Sequence, residues 1–147
     1  MPLDPSFTGK TYPPTVAYEV GREKIREFAD AIGALDPVHR DPQAARALGH
    51  RDVIAPPTFP MVITLHASLH MVIPDIGVDY ARVVHGEQRF RYTRPVYAGD
   101  RLQCVCVVED IASRGGHDIL TTRTELVTEA GEPVVTAWSK LVVRGEG

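Results

Sequence analysis

The feature that most constrains the fold is a nearly uninterrupted apolar run over residues 61–73. A helix built from this run has almost no polar face, and a helix that is apolar on most sides is a buried one. The prolines at positions 56, 57 and 60 set its start, and Pro74 closes it. The run is shorter than the roughly 20 residues that cross a bilayer. The sequence therefore predicts a buried central helix and no membrane partner.

From about Val83 onward, apolar and polar residues alternate with a period of two, which is typical of half-buried strands. Gly-rich turns separate further predicted strands at 102–111, 119–127 and 134–143, and a short early strand is predicted within 15–20. An amphipathic helix ends at Gly33, and a short helix covers about 42–48. The pattern predicts an α+β chain with one domain over residues 1–147. An antiparallel sheet wrapping a single buried helix is the hot-dog arrangement.

Composition excludes several classes of function. The net charge is −3 and the pI is near 6.0, which argues against a nucleic-acid partner because such proteins need clustered excess Lys and Arg. Cys104 and Cys106 lie two apart on a predicted strand, so a disulfide between them is implausible. No basic segment followed by an apolar one marks a signal peptide at the N-terminus, and a cytoplasmic protein is predicted.

The most informative loop, residues 32–41, carries Asp36 and His39 three positions apart. A histidine exchanges a proton near neutral pH, and a neighbouring carboxylate can orient a water or hold the imidazole tautomer. The alternative is structural: Asp36 and Asp41 cap helices, and His39 is a solvated loop residue. From the residues alone both interpretations stay open.

The same loop resembles the Gly-Asp-x-Asn-Pro-x-His-x-Asp motif of the MaoC-like (R)-specific hydratase and dehydratase family, with matches at Gly33, Pro37, His39 and Asp41. Residues 94–102 are similar to that family's Pro-Val-x-x-Gly-Asp-x-Leu turn. Residues 54–59 resemble the start of the hot-dog helix in its fatty-acid-synthase-like dehydratase N-terminal type. The opening residues are similar to the actinobacterial subfamily that includes HadA-type dehydratase subunits.

This resemblance implies a dimeric hot dog that binds an acyl-CoA or acyl-carrier-protein thioester, without cofactor or metal. It places the catalytic His at His39, with Asp36 as the candidate carboxylate, and substrate contacts at Pro57, Thr58 and Phe59. The family's catalytic Asp, however, falls on Ala34, whose methyl group cannot transfer a proton. Its oxyanion glycine falls near Pro57, which has no N–H, leaving the Thr58 amide as an alternative donor.

The resemblance implies a (3R)-hydroxyacyl-thioester dehydratase or hydratase subunit of fatty-acid or polyketide metabolism. It would act as a homodimer or, because its own site is incomplete, as a heterodimer with a catalytic MaoC-like subunit. Two alternatives stay open: an acyl-thioester-binding module without chemistry, and a hot-dog thioesterase. Two further features are interpreted structurally, His66 and His70 as buried hydrogen-bonded side chains rather than metal ligands, and Trp138 as core or interface packing.

Overall fold

One antiparallel sheet of five strands forms the frame of the computed structural model, which describes residues 2–145. The spatial order is β1-β3-β4-β5-β2, so the first long strand in the chain lies at an edge. Alternating apolar residues of the long strands face the interior, as their period of two predicts. The strands are β1 Tyr18–Glu19, β2 Val83–Tyr92, β3 Arg101–Arg114, β4 His117–Thr128 and β5 Pro133–Val143.

The helices precede the long strands in the chain. α1 ends at Gly33, whose φ of 70° is the left-handed conformation that glycine adopts without steric cost. The Asp41 side chain caps α2 by accepting from the Gln43 N–H at 2.9 Å. The α-helices are α1 Arg22–Ile32, α2 Pro42–Ala47, α3 Pro60–Ala67 and α4 Ile73–Ile76, with 3-10 turns at Pro5–Phe7, Pro37–His39 and Tyr80–Arg82.

The predicted central helix packs on the concave face of the sheet, but it is longer and less regular than expected. A π turn at Ser68–Val72 joins α3 to α4, with the Ile73 N–H donating to the Ser68 carbonyl. The prediction that Pro74 ends the helix is wrong: the helix continues to Ile76 and stops at Gly77, whose φ is 80°. A proline normally clashes with the carbonyl four residues earlier, and the wider π turn immediately before Pro74 relieves that clash.

His66 and His70 do not have the predicted buried environment. Both side chains are exposed on the outer side of the central helix. Their rings face each other with centroids 4.1 Å apart. Within residues 2–145, no group of three or more His, Cys, Asp or Glu side chains is arranged to hold a metal ion.

The two edges of the sheet differ. Residues 9–15 run along the outer edge of β3 and continue into β1, and backbone bonds hold them there: Gly9 N–H to Val108 at 2.7 Å, Tyr12 N–H to Cys106 at 2.9 Å and Thr15 N–H to Cys104 at 3.0 Å. At the other edge, β2 pairs with β5 and with no other described strand. One edge is therefore covered by the chain itself, and the other is open.

The interior lies between the sheet and the central helix. Cys104, Leu120 and Leu126 from the sheet meet Ile63 and Val72 from the helix in one cluster of buried residues. The prediction of an α+β hot-dog fold is confirmed. No helix among the described residues is long and apolar enough to cross a membrane.

Candidate functional site

A cavity of about 540 Å³ opens where the loop after α1 meets the end of β2. Its walls come from three separate parts of the chain, and His39 is its ionisable loop residue. The lining residues are Val38, His39, Ile54, Ala55, Pro57, Tyr92, Thr93, Arg94 and Pro95. None of them is acidic.

Hydrogen bonds hold the loop that carries His39. The Asp36 carboxylate accepts from the Val38 N–H at 3.0 Å and so caps the 3-10 turn Pro37–His39. Arg26 on α1 donates to the Arg40 carbonyl at 2.9 Å. Val38 is buried, which anchors the loop to the core. The backbone on both sides of His39 is therefore fixed by α1 and by the turn itself.

The half-buried His39 ring has a defined orientation. Its Nδ1 lies 2.7 Å from the Ile54 carbonyl oxygen. A carbonyl oxygen only accepts hydrogen bonds, so Nδ1 carries the hydrogen. In the neutral ring this leaves Nε2 as an acceptor, the state that a general base needs.

Among the described residues, no carboxylate lines the cavity or bonds to the His39 ring. Asp36 is exposed, is occupied as a helix cap and does not line the cavity. At the position of the family's catalytic Asp, the Ala34 carbonyl accepts from Arg40 at 2.7 Å. Arg40 also pairs with Asp30, so this corner of the loop is tied by an arginine. The catalytic role of His39 and Asp36 stays a prediction.

The three predicted substrate contacts have different environments. Pro57 lines the cavity, and its carbonyl accepts from the Tyr92 hydroxyl at 2.6 Å. Thr58 is exposed, and its N–H donates to no other described residue. Phe59 is 0% exposed and packs edge to face on Phe28, with ring centroids 5.5 Å apart. Their roles in binding stay predictions, with Phe59 placed in the core and Pro57 at the cavity.

Arg94 forms part of the cavity wall and was missed by sequence reasoning. Its Nη1 and Nη2 donate to the Asp100 carboxylate at 2.9 and 3.1 Å, and its Nε donates to Glu132 at 2.8 Å. The Asp100 side chain is only 3% exposed and also pairs with Arg51. The Tyr97 N–H donates to the same carboxylate at 2.8 Å. Asp100 therefore fixes both the Arg94 side chain and the turn beside the cavity.

Tyr92 is the second lining residue that sequence reasoning missed. Burial raises the pKa of the Tyr92 hydroxyl above its ordinary value of 10.0, and the protonated hydroxyl donates to the Pro57 carbonyl. This bond ties the end of β2 to the segment before the central helix. The sequence signal available was the resemblance over residues 94–102, which includes Arg94 and begins two residues after Tyr92.

Comparison with known proteins gives the chain a family context. The family model described as the FAS1-like dehydratase domain region matches residues 6–137. A UPF0336 protein of Saccharopolyspora erythraea is 59% identical over 146 residues, covering 99% of this chain and 94% of that protein.

Two solved structures share both the fold and about a third of the sequence. One is the C-terminally truncated HadBC (3R-hydroxyacyl-ACP dehydratase) complex from Mycobacterium tuberculosis, with 32% identity and a TM-score of 0.84, covering 92% of this chain and 96% of the matched chain. The other is a MaoC-like dehydratase with 32% identity and a TM-score of 0.88, covering 95% of this chain but 43% of the matched one. That second protein is therefore more than twice as long as the region it shares.

Proposed function

Since this chain belongs to the FAS1-like dehydratase domain family, we propose that it is a subunit of a (3R)-hydroxyacyl-thioester dehydratase or enoyl hydratase in fatty-acid or polyketide metabolism. Its role is to hold the acyl-CoA or acyl-carrier-protein thioester beside a catalytic MaoC-like partner. The observation that carries this proposal is a cavity with an oriented histidine and no lining carboxylate.

Because no carboxylate of residues 2–145 lines the cavity, this chain can hold a substrate but lacks one of the groups that its conversion requires. Dehydration needs one group to take the α-proton and another to protonate the hydroxyl that leaves C3 as water, and hydration runs the same transfers in reverse. His39 supplies at most one of these groups, and no acidic residue described in the structure lines the cavity to supply the other, since Asp36 caps its own turn outside it. Loss of a general acid or base costs on the order of 10²–10⁴-fold in rate. A partner with a complete Asp/His pair would supply the chemistry.

The comparisons support a two-unit assembly. The matched HadBC structure is itself a complex of subunits. The matched MaoC-like dehydratase is long enough to contain a second unit in one chain. An assembly of this kind would close the open side of the cavity at the end of β2.

The residues of this chain have defined tasks in the proposal. The half-buried His39 presents Nε2 to the thioester end of the substrate. The unpaired Thr58 N–H, just before α3, serves as the donor to the developing enolate oxygen in place of the family's glycine. Arg94, fixed by Asp100, forms the polar rim of the cavity.

Co-expression with a MaoC-like subunit tests the proposal. We expect the two chains to co-purify and to hydrate crotonyl-CoA, followed by the loss of enoyl absorbance. The lone chain should be about 10²-fold slower or worse. His39→Ala in the pair should weaken substrate binding more than turnover, while His50→Ala serves as the matched control because His50 bonds to Tyr97 outside the cavity lining.

Three outcomes would contradict this assignment. If the lone chain hydrates crotonyl-CoA at a rate typical of enzymes and His39→Ala abolishes it, the chain is a complete homodimeric enzyme. Release of free thiol without an enoyl change indicates a thioesterase. Tight binding of crotonyl-CoA with no turnover, even in the pair, indicates a binding module, an alternative that the absence of a lining carboxylate favours.

A further inference from the structure

The single tryptophan of the chain, Trp138, does not lie in the core. It lies on the outer face of β5, directly opposite Arg89 on β2. The guanidinium carbon of Arg89 is 5.0 Å from the centre of the Trp138 ring, and that of Arg91 is 5.6 Å away. Two arginines therefore flank one partly buried aromatic ring, a contact that holds their long side chains in place.

This corner of the outer face has an excess of positive charge. Arg89 and Lys140 share a single carboxylate, that of Glu87, at 3.1 and 3.6 Å. Arg91 forms no ion pair with any described residue. On β4, Arg123 lies directly opposite Trp138 and is neutralised by Glu109 and Glu125. The cations around the ring therefore outnumber the carboxylates by one. The chain as a whole carries a net charge of −3, so the excess is local.

The corner also lies next to the cavity. Arg91 immediately precedes Tyr92, which lines the cavity at the end of β2. Alternation along the strand puts the Arg91 side chain outside while Tyr92 reaches inward to Pro57. A macromolecule seated on the outer face at Arg91 is therefore at the rim of the proposed thioester site.

We propose that Arg89, Trp138 and Arg91 form the docking surface for an acidic helix of the acyl carrier protein that delivers the substrate, an inference that rests on the proposed function. Residues two apart on a strand are separated by about 6.6 Å. Carboxylates four apart on a helix are separated by about 6 Å along its axis. One helix face can thus pair with both arginines and place an apolar side chain against the tryptophan. Tryptophan and arginine are the residues that most often dominate binding energy at protein interfaces.

Trp138 provides a direct measurement, because it is the only tryptophan. The assembled pair, with any tryptophan of the partner subunit replaced, is titrated with a tryptophan-free acyl carrier protein bearing a crotonyl group. A parallel titration uses crotonyl-CoA, which has the same thioester and no protein surface. We expect the emission of Trp138 to change with the carrier protein and to stay constant with the CoA ester.

Charge variants identify the surface. Arg89→Glu combined with Arg91→Glu should weaken carrier binding by about tenfold or more and leave the KM for crotonyl-CoA unchanged. The milder pair Arg89→Ala and Arg91→Ala should give a smaller loss in the same direction, and thermal melting checks that both variants fold. Arg114→Glu is the matched control: it changes the same charge at the opposite end of the sheet, in the β3–β4 hairpin. Raising the salt from about 0.05 M to about 0.5 M should remove most of the difference.

The outcomes separate this inference from the proposed function. The inference is overturned if both arginine variants bind the carrier protein as tightly as the unchanged pair. It is also overturned if the emission of Trp138 does not change when the carrier protein binds. In either case, turnover of crotonyl-CoA would still support the proposed function. Loss of subunit assembly in the arginine variants also overturns it, and assigns the surface to the partner subunit. If the pair neither binds nor converts either thioester, the proposed function itself fails.

Discussion

Asp100 is a buried carboxylate whose partners converge from three segments of the chain. It accepts from Arg94, Arg51 and the Tyr97 backbone while its own side chain is only 3% exposed. Removing one partner of a buried ion pair leaves the other charges uncompensated. Asp100 therefore stabilises the cavity wall at Arg94 and is not a substrate-contacting residue.

We predict that Asp100→Asn lowers the free energy of unfolding by about 3 kcal/mol. Equilibrium urea denaturation measures the change. Glu132→Gln removes a half-exposed partner of the same arginine and should cost less than about 1 kcal/mol. Equal losses in the two variants would show that the burial of Asp100 does not increase the free-energy cost of removing its charge.

The two thiols behave as core residues. Burial raises the pKa of Cys104 to about 12 from an ordinary value of 9.0, and burial also raises the pKa of Cys106. The thiolate is the reactive form, so neither cysteine should be alkylated by iodoacetamide in the folded protein near neutral pH. Mass spectrometry measures the labelling, with the urea-unfolded chain as the positive control.

The same shift predicts a pH dependence of stability. A folded-state pKa above the unfolded value means that the stabilisation is complete below pH 9.0 and is lost as the pH rises toward about 12. The free energy of unfolding should therefore fall over this window. The fall should be shallower when Cys104 and Cys106 are both replaced by Ala. An unchanged slope would show that the two thiols do not cause the pH dependence.

Among the elements, the central helix could be predicted from the sequence in its burial but not in its C-terminal end. Its burial was predictable because residues 61–73 are apolar on nearly every side. Its end was not, because a π turn leaves no recognisable period, and Pro74 looks like a stop in any regular helix. The strands were located well, although β3 extends to Arg114, beyond the predicted end at residue 111. A bulge between Val108 and Asp110 shifts the pairing there and lets the ladder continue.

We predict that Gly77→Ala costs about 1 kcal/mol of stability, measured by urea denaturation. The reason is backbone strain alone: φ is 80° and a Cβ atom there has nothing within 4 Å. Gly77→Asn should cost less, because asparagine tolerates the left-handed conformation. If alanine is as stable as glycine, the helix ends in another way.

For the whole molecule, the unequal sheet edges govern assembly. Residues 9–15 satisfy the β3 edge, whereas half of the β2 backbone groups face away from β5. We predict that these β2 amides exchange hydrogen rapidly in the lone chain and are protected when the partner subunit binds. Hydrogen-exchange mass spectrometry measures this, and the β3 amides bonded to the N-terminal segment serve as an internal control whose protection should not change.

At this scale the candidate site could be predicted only in part. His39 was found because its motif is continuous in sequence, and Ala34 was recognised as a departure in the same way. Tyr92 and Arg94 lie more than fifty residues further along, and only the sheet topology brings them to the same cavity. The capping role of Asp36 likewise depends on a turn geometry that its residue type permits and does not dictate.

The first and last described residues lie together at one end of the sheet. The Leu3 N–H donates to Asp118 at 2.9 Å, and the Gly145 N–H donates to His117 at 3.0 Å. This is the hairpin end, and the cavity lies at the opposite end, beside Tyr92. Anchoring the protein to a sensor chip through the β3–β4 hairpin would therefore leave its cavity facing the solution for ligand screening.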